Sequence, residues 1–164
     1  RKSIYFSYVQ SHLTYMMAIW SNCAQFKMNE LKVIQNKAIK ALMQLDRLTS
    51  STYLYSLKIL PLNFLVKLEK IVVAQKIVKN LMKFNVRFSY VDERTNRNTR
   101  QASHIYVDFV DSPLGHAFRS YNQINQELKN INEIKLFKNQ VKKYLFCNDT
   151  NDEYFMLTPF YNLN

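Results

Sequence analysis

Tyr90-Val91-Asp92-Glu93 is the stretch whose residue types come nearest to an active site. Two adjacent carboxylates behind a tyrosine resemble part of a polymerase metal centre, in which carboxylates hold two Mg²⁺ ions about 3.5–4 Å apart. That chemistry needs further carboxylates converging from neighbouring strands. No upstream strand supplies a third aspartate here, and no strand pair flanks the tetrad. Asp92 and Glu93 therefore read as an exposed acidic pair beside Arg94. Zinc chemistry finds no better footing, because His12, His104, His116, Cys23 and Cys147 show no ligand spacing. No Gly-x-Ser-x-Gly turn is present, and the single glycine, Gly115, builds no phosphate-cradling loop. No catalytic residue, metal or cofactor is assigned to this chain.

Charge is the remaining signal. The formal net charge is +11 and the pI about 9.7. Residues 27–100 hold 15 Lys and Arg against 5 Asp and Glu, whereas residues 147–164 have a net charge of −3. Such an imbalance suits a polyanionic partner, with solubility alone as the plainer reading. The candidate nucleic-acid-binding residues fall in three groups. Lys32, Asn36, Lys37, Lys40 and Arg47 share one side of a helical stretch. Lys76, Lys79 and Lys83 line a second. Arg94, Arg97 and Arg100 lie in a polar segment without periodicity, where guanidinium forks suit phosphates. Each group could equally be a solvated face. Tyr8, Tyr15 and Trp20 could stack nucleobases, but their helical spacing favours the core.

The elements that must carry these residues are predicted to be mainly helical, since a chain with one glycine has few residues suited to tight hairpins. Residues 4–20 space Ile4, Tyr8, Tyr15 and Ile19 on a helical period, although the aromatics there also permit a strand. In LKVIQNKAIKAL (31–42), Leu31, Ile34, Ala38, Leu42 and the following Leu45 fall in one inward arc of about 80°, leaving Lys32, Asn36, Lys37, Lys40, Gln44 and Arg47 opposite. Hydroxyls at 49–52 can cap a short helix through Leu57. A helix over 61–84 starts at Pro61 and is apolar nearly all round in its first half. Residues 105–110 suggest a short strand by alternation, and helices are expected over about 116–128 and 132–146. The expected organisation is thus a helical bundle over 1–86, a basic loop or arm over 87–115, C-terminal helices over 116–146, and an acidic, aromatic tail over 147–164 that frays unless it docks. Neither a signal peptide nor a span of roughly 20 apolar residues is visible. The two separated cysteines fit a reduced intracellular protein, with a single disulfide as the alternative.

The order of several stretches resembles one family. SHLTYMMAIWS (11–21), LKVIQNKAIKAL (31–42), LKILPL (57–62), NRNTR (96–100) and FKNQVKKYL (137–145) resemble, at similar spacing, the region following the catalytic palm in reverse transcriptases of non-LTR retrotransposons of the jockey-like and related clades. The likeness covers about residues 3–146. Each short motif alone is weak, and their order carries the specificity. Met16 stands where that family usually has glycine, Lys40 where arginine is frequent, and Tyr121-Asn122-Gln123-Ile124-Asn125 where it commonly has Trp-Asn-x-Leu-Pro.

The resemblance implies a thumb-like helical bundle with its C-terminal extension, separate from fingers and palm. It implies a non-catalytic part of an RNA-directed DNA polymerase that clamps primer–template nucleic acid through backbone phosphates, with Mg²⁺ belonging to the palm. The implied partners are an RNA–DNA or DNA duplex and the parent's palm and fingers, with no membrane, in the nucleus or cytoplasm. The alternative is a decayed or repurposed helical module that binds protein. Attachment to a membrane surface is disfavoured on the premise that no helix pairs a basic face with an exposed apolar one.

Overall fold

The helix Leu62–Val78 buries side chains on every side, and the rest of the molecule is arranged around it. The structure, a computed structural model, describes residues 1–50, 57–82, 88–90, 104–108 and 110–148. In chain order, these contain α1 (Lys2–Ile4), a π-helical stretch (Tyr5–Gln10), α2 (Ser11–Thr14), α3 (Met17–Trp20), α4 (Gln25–Met43) and α5 (Leu62–Val78). Strands β1 (Phe88–Tyr90) and β2 (Ile105–Val107) follow, then α6 (Pro113–Asn122), α7 (Gln126–Lys129) and α8 (Ile134–Asn148). The fold is mainly all-α, with one two-stranded sheet among the described residues. No helix among those residues is long and apolar enough to cross a membrane.

The main core joins Leu65, Leu68 and Ile71 of α5 to Met17, Met28, Phe118, Phe137 and Val141, so the C-terminal helices share one apolar interior with α5. A smaller cluster of Tyr5, Ile39 and Ile59 pins α4 to the opening helix. Within the main core Gln75 is the polar fastener. Its Nε2 donates to the carbonyls of Lys129 (3.1 Å) and Ile131 (2.9 Å), and its Oε1 accepts from the Tyr121 hydroxyl at 2.6 Å. Burial raises the Tyr121 hydroxyl well above the ordinary tyrosine range, with Tyr90 adding to the shift. Lys129, almost fully buried, lies with its ammonium 5.2 Å from the Tyr121 ring centroid, and burial lowers its pKa.

Boundaries depart from the sequence expectations for local reasons. The helix expected over 4–20 breaks at Tyr15–Met16, where Met16 takes a left-handed conformation with φ 52°. Met16 carbonyl then starts α3 by accepting from Ile19 and Trp20. Consequently Tyr8 and Tyr15 are 68% and 76% exposed, and Ile4 and Ile19 are exposed too. The buried members are instead Tyr5, Met17 and Ala18. Pro61 is the N-cap of α5 rather than its first residue, and α5 ends before Asn80, whose φ of 55° lets Leu81 N–H reach the Lys76 carbonyl at 2.8 Å. Residues 116–128 form two helices separated at 123–125. Helix α6 begins at Pro113, three residues before the expected start at about 116: Pro113 occupies the first turn and the Ser112 hydroxyl accepts from Gly115 N–H at 3.0 Å.

The expected strand is present as β2, and its partner β1 lies in the segment expected to be a loop or arm. Phe88, Ser89 and Tyr90 pair antiparallel with Val107, Tyr106 and Ile105. Asn122 holds the other edge of β2, donating from Nδ2 to the Ile105 carbonyl (2.9 Å) and accepting the Ile105 N–H (3.0 Å). The apolar side of α8 buries Phe137, Val141 and Leu145 and half-buries Tyr144, while Leu136 is exposed. Most of the short helix expected after 49 lies outside the described residues.

Candidate nucleic-acid interface

Helix α4 carries the first candidate group, and its rotation decides what that group can touch. The inward arc expected from Leu31, Ile34, Ala38 and Leu42 is not the buried one. Met28, Gln35 and Ile39 are buried, while Ile34 is 57% exposed. On a helical wheel this turns the helix by about 80° from the sequence expectation. Gln35 is the reason. Only 1% exposed, it donates from Nε2 to the Tyr5 hydroxyl (2.8 Å) and to the Leu60 carbonyl (3.0 Å). The Leu60 carbonyl lies just before Pro61, outside any helix, and a buried carbonyl there needs a donor. Burial raises the Tyr5 hydroxyl's pKa, while the Gln35 hydrogen bond pulls it down. The polar residues of QNK therefore divide: Gln35 is structural, Asn36 is half-buried, and Lys37 faces water.

The C-terminal end of α4 then folds back. Gln44 is left-handed (φ 56°) and Leu45 N–H returns to the Lys40 carbonyl at 2.9 Å, an ending that glycine usually supplies. The Lys40 ammonium donates to the Arg47 carbonyl at 2.7 Å, and Asp46 Oδ1 accepts from Leu48 N–H at 2.9 Å, so the 44–48 turn is fastened at both ends. A groove of about 750 Å³ results, lined by Val33, Asn36, Lys37, Lys40, Ala41, Leu45 and Arg47. Four of the five residues predicted for this group thus meet at one place. Lys32, half-buried, does not line it.

The other groups are less concentrated. Lys76 and Lys79 are half-buried near the end of α5, and the Lys79 ammonium is engaged with Asn132 Oδ1 at 2.9 Å. Lys83, Arg94, Arg97 and Arg100 lie outside the described residues. Ion pairs found among the described residues join Lys27 to Glu30 (3.1 Å) and Lys138 to Glu69 (2.7 Å); neither involves a candidate cation. Lys37 and Arg47 project from the groove walls with exposed side chains. No cluster of three or more His, Cys, Asp or Glu suited to a metal is found among the described residues. Cys23 is an exposed free thiol.

No protein-family model, curated protein or solved structure matches the chain.

Three features escaped the sequence reading. The solvent side of α4 is partly apolar, with Phe26, Val33 and Ile34 exposed along with Lys37, so the premise used against membrane-surface attachment does not hold for this helix. Tyr8 and Trp20, expected in the core, border a surface groove with His12 and Leu31. The indole of Trp20 is held by donation to the Tyr15 carbonyl at 2.8 Å. An apolar cavity of about 510 Å³ opens between α3, α5 and the start of α6, lined among others by Met16, Ile19, Val73, Met82 and Leu114. The left-handed break at Met16 forms its rim. No local pattern marks that break, because methionine carries no turn signal.

Proposed function

We propose that this chain is a non-catalytic nucleic-acid clamp, the thumb and post-thumb segment of an RNA-directed DNA polymerase of the non-LTR retrotransposon type. The observation that carries this reading is the α4 groove, which gathers Asn36, Lys37, Lys40 and Arg47 at one place with no carboxylate among the described residues that line it. Ammonium and guanidinium groups spaced along a helix can each neutralise a phosphate and release its counterions, and such contacts position a duplex without reading its sequence. Palm and fingers of the parent protein would supply the Mg²⁺ centre, and the work would take place in the nucleus or cytoplasm.

Two local observations agree with the resemblance. Met16, at a position where the family usually has glycine, adopts the left-handed conformation that glycine accepts most easily. Asn122, which matches the asparagine of the family's Trp-Asn-x-Leu-Pro element, clamps the backbone of Ile105 through both of its amide atoms.

Binding to an RNA–DNA or DNA duplex is expected with Kd on the order of 10⁻⁴–10⁻⁶ M. The test is titration of a labelled primer–template with the wild-type chain and with Lys37→Glu/Arg47→Glu. The double variant should lose binding; equal affinity of the two proteins overturns the clamp. A second reading, a helical protein-interaction module, is favoured by the exposed Phe26, Val33 and Ile34 on the same helix. Under it, the double variant leaves nucleic-acid binding absent or unchanged.

A further inference from the structure

The two most exposed aromatic side chains among the described residues are Tyr8 and Tyr15, and both belong to the opening helical stretch. A tyrosine ring left in water forgoes a large apolar contact area, and two on one short stretch call for a partner. Tyr8, His12 and Tyr15 follow one another at spacings of four and three, which puts them on one side of the helix. His12 is exposed as well. Neither tyrosine ring is engaged by another described ring or by a described cation. Trp20 stands beside them. Its indole N–H donates to the Tyr15 carbonyl at 2.8 Å, and its ring borders the same surface as Tyr8 and His12.

Spacing and charge narrow the choice of partner. Seven residues of helix set Tyr8 and Tyr15 about 10 Å apart along the axis, and three nucleotides stacked at about 3.4 Å each cover the same length. Residues 1–29 contain no Asp or Glu, and Arg1 and Lys2 are exposed at their start. Glu69, which lies beside Thr14 and Met16, is already paired with the Lys138 ammonium at 2.7 Å. An anionic strand therefore meets no unpaired carboxylate among these described residues. Phosphates give flat rings little to bind, whereas every unpaired base offers a π-face.

We infer that the opening helix is a stacking platform for unpaired nucleobases, with Tyr8 and Tyr15 as its principal rings and His12 between them. The inference rests on the reading of this chain as a nucleic-acid binder and adds a ligand that a phosphate clamp does not take, the single strand that continues beyond a duplex. The two surfaces use different chemistry, cations for phosphates on α4 and rings for bases here, so each can fail alone.

Trp20 is the chain's only tryptophan, and its fluorescence reports on this surface in the full chain. The probes are an oligothymidylate of about twelve nucleotides, an abasic strand of the same length with identical phosphates and sugars, and a blunt duplex. Stacking predicts that oligothymidylate quenches Trp20 and binds on the order of tenfold more tightly than the abasic strand. Tyr8→Ala and Tyr15→Ala should each weaken oligothymidylate binding on the order of tenfold. Tyr8→Phe and Tyr15→Phe keep the ring and should keep the affinity, and duplex affinity should be the same in all these proteins. Equal affinity for the thymidylate and abasic strands overturns the platform and leaves the α4 clamp standing. A thymidylate preference that survives both alanine variants puts the stacking elsewhere and overturns this site. Parallel loss of duplex and single-strand binding in the alanine variants means that they act through the fold, which overturns the assignment too. If none of the three probes binds, the nucleic-acid reading falls and the platform falls with it.

Discussion

Neutralising the groove has a calculable effect on salt dependence. Lys37 and Arg47 project from its walls, Lys40 contributes a third cation although its ammonium already holds the Arg47 carbonyl, and Lys32 flanks the group on α4. If these three or four cations meet phosphates, the groove alone contributes a slope of about −2.7 to −3.6 in log K against log salt. Between about 50 and 200 mM salt that corresponds to an affinity loss of about 40- to 150-fold. Replacing Lys37 and Arg47 by Gln removes two charges without adding new ones, and should flatten the slope by about 1.8. The groove's residual loss over the same salt range then falls to about 3- to 12-fold. Anisotropy titrations of a labelled primer–template at four salt concentrations give both slopes. Lys135→Gln/Lys143→Gln removes the same net charge from exposed positions on α8, outside the groove. Equal flattening in the two double variants would mean that the response follows net charge, and the assignment to the groove would be refuted.

Three further expectations concern the frame that holds the groove and the core. Gln75→Leu leaves the Tyr121 hydroxyl and the Lys129 and Ile131 carbonyls without their partner; at about 1–3 kcal/mol for each orphaned buried group, a loss of at least about 3 kcal/mol should appear in urea unfolding, and a change below about 1 kcal/mol would contradict the network. Met16→Gly removes a left-handed penalty of about 1–2 kcal/mol while adding about 0.5–1 kcal/mol of chain entropy in the unfolded state, so the urea midpoint should rise slightly; a clear fall would show that the Met16 side chain's contacts outweigh its backbone. His104 has its pKa held below the ordinary histidine value by burial and then by the charge of Lys129, so the folded state binds fewer protons than the unfolded one; its contribution is intact above about pH 6.5, declines as pH falls toward the depressed folded value, and should vanish from the pH–stability curve in His104→Gln.

Helical content and the position of α5 were legible because each is written locally. One glycine in the chain leaves little choice but helix, and LNFLVKLEKIVVA is apolar nearly all round and so belongs inside; the start of α6 at Pro113 was not legible, because Ser-Pro-x-Gly reads as a chain break as readily as a helix cap. The basic character of residues 27–100 is likewise a property of the string. The strand Phe88–Tyr90 was not legible, since its partner lies across a long intervening segment and only pairing makes three residues a strand.

The same division holds for the candidate site. The sequence by itself determined that Asn36, Lys37, Lys40 and Arg47 fall on neighbouring turns and that their surroundings are cationic. Only the tertiary structure decided which way α4 faces, because Met28 and Ile39 extend its apolar arc beyond Leu31 and Leu42 until two rotations are possible. The choice fell to a side chain that hydrophobic patterning assigns to water: Gln35, drawn inside by the Tyr5 hydroxyl and the Leu60 carbonyl. A buried polar group follows its hydrogen-bond partners, and those partners lie 25 and 30 residues away along the chain.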